Sequence, residues 1–187
     1  MRLIPAVLAL SAVTALSGCA SFVAPAYSPD YPSLDRLKTS SIDKVAVGSF
    51  QPRAAEAAVN RITLRGAALA PPSGSFAEYL ENAIRSDLTE LRALDASAST
   101  RIDATLLKND IDISGFSVGE GTIEAKLTVS KQGAPVLDKV YAAKTRFDSS
   151  FAGNVAIPRG QAEYPNLVRA LLQTIYADPA FIAAIRK

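Results

Sequence analysis

Few side chains in these 187 residues are suited to covalent or acid–base chemistry. There is no histidine, and Cys19 is the one cysteine. The commonest general base and the commonest metal ligand are therefore missing, and a single thiol is left as nucleophile. What remains is carboxylate chemistry. Asp110 and Asp112 stand two apart on an expected strand and so share a face, while Asp103 lies on the same strand with opposite parity. Paired carboxylates can do acid–base work, but on an exposed strand they more commonly form a solvated edge. Gly119 and Gly121 lack the context of a dinucleotide-binding turn. Pro71-Pro72-Ser73-Gly74 is a turn without the lysine or the glycine spacing of a phosphate loop. These residues predict a non-enzymatic chain that folds without metal or cofactor.

The setting of Cys19 is more informative. Arg2 supplies a positive charge, Leu3 to Leu16 is an apolar run, and the small residues Ser17 and Gly18 follow. That is the anatomy of a signal peptide. The run is too short to span a bilayer, which takes about 20 residues. In an exported chain a lone cysteine would otherwise be a free thiol or an intermolecular bridge. Leu16-Ser17-Gly18-Cys19 resembles the lipobox of bacterial lipoprotein precursors. The resemblance implies cleavage before Cys19, a diacylglycerol on its sulfur and acylation of the new amino group. Two or three acyl chains are enough for stable anchoring. Ala20 follows the cysteine, in place of the aspartate associated with inner-membrane retention. The resemblance therefore implies the periplasmic face of an outer membrane.

Composition narrows the partners. The chain carries 20 basic and 18 acidic side chains, and loss of Arg2 would bring it closer still to neutrality. There is no basic excess to neutralise nucleic-acid phosphates. With 49% apolar residues and no possible disulfide, stability must come from a hydrophobic core. The expected organisation is a signal peptide at 1–18, a lipidated cysteine and flexible tether at 19–43, and a single domain at 44–187. A flexible 24-residue tether would have an average reach of roughly 27 Å. Tyr27, Tyr31, Leu34 and Leu37 also permit a segment docked on the domain.

Within the domain, Val45–Phe50 reads as a short apolar strand and Arg61–Arg65 as a second, ended by Gly66. Ser75 and Glu78 form a capping box opening a long helix. Phe76, Leu80, Ile84, Leu88 and Leu91 make its apolar face, interrupted only by Asp87. Glu78, Glu81, Asn82, Arg85 and Arg92 should be solvated. Ile102, Ala104 and Leu106 alternate in one phase and Ile111 and Ile113 in the other, which predicts an irregularity near Leu107 to Asn109. Thr122–Ser130 alternates cleanly, as an antiparallel strand with one wet face does. A connection through Gln132-Gly133 leads to a fifth strand, Val136–Phe147. A second long helix is expected from Tyr164-Pro165. A short one should follow, with Asp178 as N-cap and Pro179 in its first turn. Leu80, Leu88 and Leu171 should be buried. The order suggests an α+β two-layer sandwich: a mostly antiparallel sheet of about five strands with two long helices on one face.

Lipobox, proline-rich tether and element order together resemble the auxiliary lipoprotein of ABC-type envelope lipid transport systems, and also the lipopolysaccharide-assembly lipoprotein. The matched features are strands Val45–Phe50 and Arg61–Arg65, the helix from Phe76, the Gln132-Gly133 hairpin and the helix Tyr164–Ala177. The resemblance implies a non-enzymatic partner of a membrane transport complex. The alternative is an envelope assembly or regulatory lipoprotein that docks on a secretion pore or a cell-wall synthase. The candidate surface for a protein or lipid partner is Phe151 to Pro158, with Phe151, Val155 and Ile157. This uncharged apolar stretch lies between the last strand and the second helix, and apolar surface left exposed commonly marks an interface.

Overall fold

The computed structural model describes residues 21–187. The expected signal peptide and Cys19 lie outside the described residues. In chain order the elements are β1 (Ser21–Val23), α1 (Tyr31–Thr39), β2 (Val45–Gln51), β3 (Ile62–Leu64), β4 (Ala67–Ala70) and α2 (Phe76–Glu90). Then come β5 (Thr100–Asp112), β6 (Val118–Lys131), β7 (Ala134–Asp148), α3 (Gly153–Ala177) and α4 (Pro179–Ile185).

The class is α+β, but the strands form two mixed sheets and not one five-stranded sheet. A four-stranded sheet has the order β2-β5-β6-β7, and a three-stranded sheet the order β1-β4-β3. In the larger sheet β2 runs parallel to β5, and the other two pairings are antiparallel. Parallel neighbours need a long crossover, which here contains α2. The strand expected at Arg61–Arg65 does not join the main sheet. It becomes β3, pairing with β4 through a tight turn in which Arg65 and Gly66 both have positive φ.

β6 explains why the main sheet has one dry face. Ile123, Ala125, Leu127 and Val129 are fully buried, while the alternate residues Thr122, Glu124, Lys126 and Thr128 are only half-buried. The pairing of β5 with β6 shifts register between Leu106 and Lys108, where the change of phase predicts it. This bulge turns Asn109 into the interior, where its Nδ2 donates to the Val59 carbonyl at 3.0 Å. It also puts Asp110 and Asp112 on the same outer face as Asp103, correcting the parity expected from an unbroken strand.

α2 starts at the expected capping box, with Ser75 and Glu78 each accepting from the other's backbone N–H. Leu80, Leu88 and Leu171 are all buried as the periodicity predicts. Glu81 departs from expectation: it is buried, paired with Arg53 and Arg85.

Two expectations fail outside the central helix and sheet. First, α3 begins at Gly153, eleven residues before Tyr164, and contains both Pro158 and Pro165. A proline inside a helix removes one backbone donor and normally weakens it. Here tertiary packing outweighs that cost, because Ala156, Gly160, Tyr164 and Leu167 present one buried face to the sheets. Gly160 lets the helix approach closely: a Cβ there would stand 2.9 Å from Ile113 and 3.1 Å from Leu64. Second, residues 21–43 are not a free tether. β1 pairs with β4, and α1 buries Leu34 and Leu37, so the docked alternative describes this segment. Asp30 caps α1, and Pro32 occupies its first turn.

Candidate functional site

One end of the molecule carries the two most exposed large apolar side chains. The β5–β6 connection carries Phe116, and the β7–α3 connection carries Phe151. These side chains are 79% and 71% exposed, and their rings stack on each other with centroids 5.2 Å apart and planes 18° apart. Val118 beside them is also exposed. Beneath the pair, Arg65 ties the two connections together. Its guanidinium donates to the carbonyls of Ile113 at 2.9 Å and Ser150 at 2.9 Å, and to that of Phe151. Ser149 N–H adds a bond to the Ser117 carbonyl at 2.8 Å. Both loops are therefore held by polar contacts, while the two rings face water.

Of the three residues expected as a partner surface, Phe151 is exposed. Val155 and Ile157 are half-buried within α3, and Ile157 packs against the core. The stretch is thus part helix and not a continuous apolar loop. Phe116 carries no local signal, since it lies more than thirty residues away in sequence, in a Ser-Gly-Phe-Ser turn that looks polar. Arg65 likewise gave no signal in its own neighbourhood. Cys19 lies outside the described residues, but the chain enters the structure two residues later, at Ser21.

The segment after Ser21 is fastened along α3. The Val23 carbonyl accepts from Gln161 Nε2 at 2.7 Å, Tyr79 donates to the Pro25 carbonyl at 2.7 Å, and Arg169 reaches the Ser28 carbonyl. Tyr27 donates to Asp87 at 3.0 Å, and Tyr176 donates to the same carboxylate at 2.8 Å. This accounts for the acid that interrupts the apolar face of α2. Asp87 is completely buried. Burial pushes its carboxyl up to about 6, against the opposing effect of the Tyr176 and Tyr27 hydrogen bonds. Both tyrosine hydroxyls are in turn pushed well above their ordinary value, chiefly by burial and then by the charge of Asp87.

An open groove of about 1180 Å³ lies between the free edge of β7 and α3. Small residues, Ala142, Ala143, Ala170 and Ala177, line it, with Arg36 and Lys139 among the charges. Next to it Asp178 accepts from Lys139 at 2.8 Å and from Tyr141 at 2.6 Å, and caps α4 through Ala180 N–H. These bonds hold its carboxyl down at about 2.

The candidate acid–base carboxylates do not form a working pair. Asp103 accepts from Arg101 at 2.9 Å and from Ser49 N–H at 2.7 Å. Asp112 accepts from Ser114 N–H at 2.8 Å in a local turn. Asp110 is solvated on the outer face of β5. No hydrogen bond couples Asp110 to Asp112 among the described residues.

In sequence the chain matches no family model and no curated protein. In structure it is similar to protein XCC0632 from Xanthomonas campestris, of family model DUF330. The TM-score is 0.51 and the identity 11%, over 84% of this chain and 95% of that one. It is also similar to a candidate lipoprotein from Caulobacter crescentus CB15, with TM-score 0.49 and 12% identity over 82% of this chain and 96% of that one. The hypothetical protein CT253 from Chlamydia trachomatis aligns with TM-score 0.44 and 9% identity, over 77% of this chain and 99% of that one. The first likeness establishes a shared fold. At such identities no residue's role is transferred.

Proposed function

We propose that this chain is a non-enzymatic lipoprotein, anchored through Cys19 to the periplasmic face of an outer membrane, that serves as an auxiliary component of an envelope lipid transport complex. The observation that carries the reading is the Leu16-Ser17-Gly18-Cys19 motif, placed two residues before the first strand of a folded domain. The fold supports it in a second way. The candidate carboxylates are engaged in turns and ion pairs or stand solvated, while the open surfaces are an apolar tip and an alanine-lined groove. Such surfaces suit docking and not bond-making. β7 is the outer strand of its sheet, with Val136 and Val140 half-exposed. A free strand edge of this kind is a ready template for another chain. The groove beside it is the face offered to a protein partner.

Two measurements test this. Labelled palmitate should enter the wild-type protein and not Cys19→Ser, whereas equal labelling of both would remove the anchor. A photo-crosslinking amino acid at Val140, used in cells and read by mass spectrometry, should capture a lipid-transport permease or its substrate-binding subunit. Capture of a secretion pore or a cell-wall synthase would replace the transport reading with the assembly or regulatory one.

A further inference from the structure

The docked N-terminal segment decides how an anchored domain would face the membrane. β1 runs parallel to β4, and β4 leads out of the Arg65–Gly66 turn. Ser21 pairs with Ala68, so the chain enters the structure close to that turn and then runs away from it. The later contacts follow the same course: Val23 meets Gln161, and Ser28 meets Arg169. The segment thus travels alongside α3 in the helix's own direction, and its start is nearest the end where α3 begins. That end carries Phe151, stacked on Phe116, with the Arg65 guanidinium behind both loops. The entry of the chain and the exposed aromatic pair therefore share one end of the molecule.

Chain length then matters. Ser21 is two residues from Cys19, and an extended chain spans at most about 3.3–3.6 Å per residue. An acylated Cys19 can stand no more than about 7 Å from Ser21. A free tether of the expected length would have left the domain's orientation open; two residues do not.

We infer that the Arg65 end of the domain rests on the bilayer, with Phe116, Phe151 and Val118 entering its interfacial layer beside the lipidated cysteine. The inference rests on the anchoring of Cys19 proposed above. It accounts for two large aromatic side chains at the tips of loops that polar contacts already hold in place. In water such a pair is a liability. At the boundary of headgroups and acyl chains, aromatic side chains are favoured anchors. The opposite end of the sheet has a different character. The β6–β7 hairpin, Lys131–Ala134, lies there beside the C-terminus, where Lys131 Nζ donates to the Arg186 carbonyl at 2.6 Å.

The absence of tryptophan from the chain makes a direct test possible. Phe116→Trp and Phe151→Trp each create a single fluorophore at the tip, and Val136→Trp creates one at the exposed far end of β7. The lipidated full chain is reconstituted in vesicles of phosphatidylethanolamine, with phosphatidylglycerol as the minor lipid, made with brominated acyl chains. Both tip fluorophores should shift to the blue and be quenched several-fold more than Val136→Trp. Equal quenching at both ends, or none at the tip of vesicle-bound, palmitate-labelled protein, overturns the inference while leaving the anchor intact; a protein partner would then be the better occupant of the tip. If the wild type takes up no palmitate yet floats with the vesicles and shows the same tip quenching, the anchor fails and the membrane-facing tip stands. If the wild type neither labels nor floats, both fall.

Discussion

Two aromatic pairs meet opposite fates in this molecule. Phe76 and Tyr164 meet in the interior with ring centroids 4.5 Å apart, both completely buried between α2 and α3. Phe116 and Phe151 meet at 5.2 Å, and each is more than two-thirds exposed. The first pair comes from two long helices whose apolar stripes must be covered. The second comes from two connections whose backbones Arg65 already satisfies. Contact between rings therefore says little about what the contact is for. Burial separates a pair that holds the fold together from one that the fold presents outward.

The sharpest way to break this contrast is to truncate the inner pair. Phe76→Ala should destabilise the domain by about 3–5 kcal/mol, the usual cost of emptying an aromatic site in a core. Denaturant unfolding measures it, and a loss below about 1 kcal/mol would mean that the interior closes over the gap and is looser than its packing indicates.

The next effect depends on pH. Burial lifts the Asp87 carboxyl from 3.8 to about 6, a change worth roughly 3 kcal/mol. A carboxyl raised on folding binds its proton more tightly in the folded state. Its contribution to stability is therefore fully present below about 3.8 and is lost as pH rises through about 6. The groups facing it are Tyr27 from the N-terminal segment and Tyr176 from α3, with Asp30 and Arg169 acting at longer range. Asp87→Asn should flatten the dependence of melting temperature on pH between about 4 and 7. An unchanged slope would show that another group sets it.

The smallest effect is the most telling for the outer pair. Phe116→Ser with Phe151→Ser should change stability by no more than about 0.5 kcal/mol, as surface substitutions usually do. A larger loss would make the tip a part of the fold and remove the contrast with Phe76 and Tyr164. Ile157 should be left out of that variant, because it packs on the core from the first turns of α3.

What could be read from the residues themselves follows from local periodicity and local capping. The period of two in β6, the stripe of α2 with its Ser75–Glu78 box, the phase change in β5 and the Asp178-Pro179 start of α4 all stand in the structure where their spacing puts them. Each depends on neighbours a few residues apart, so the chain carries the whole signal in one place. The same locality made Tyr164-Pro165 look like a helix start, because proline is usual there. Only the packing of Ala156 and Gly160 against the sheets revealed about three earlier turns. The remaining features join distant parts of the chain. Tyr27 lies 60 residues and Tyr176 89 residues from the Asp87 carboxylate they share. β1 finds β4, β2 finds β5 in parallel, and Phe116 finds Phe151 only once the sheets have formed. Nothing in the local spacing of residues 21–43 distinguishes a tether from a docked strand and helix. That depends on whether the domain offers an unpaired strand and an apolar groove to receive them. By itself the sequence determined the helix and sheet periods and the composition of the core, and it carries the Leu16–Cys19 motif on which the proposed anchor rests; tertiary structure decided which surface is left over, because exposure belongs to a residue's distant neighbours and not to its own stretch of chain.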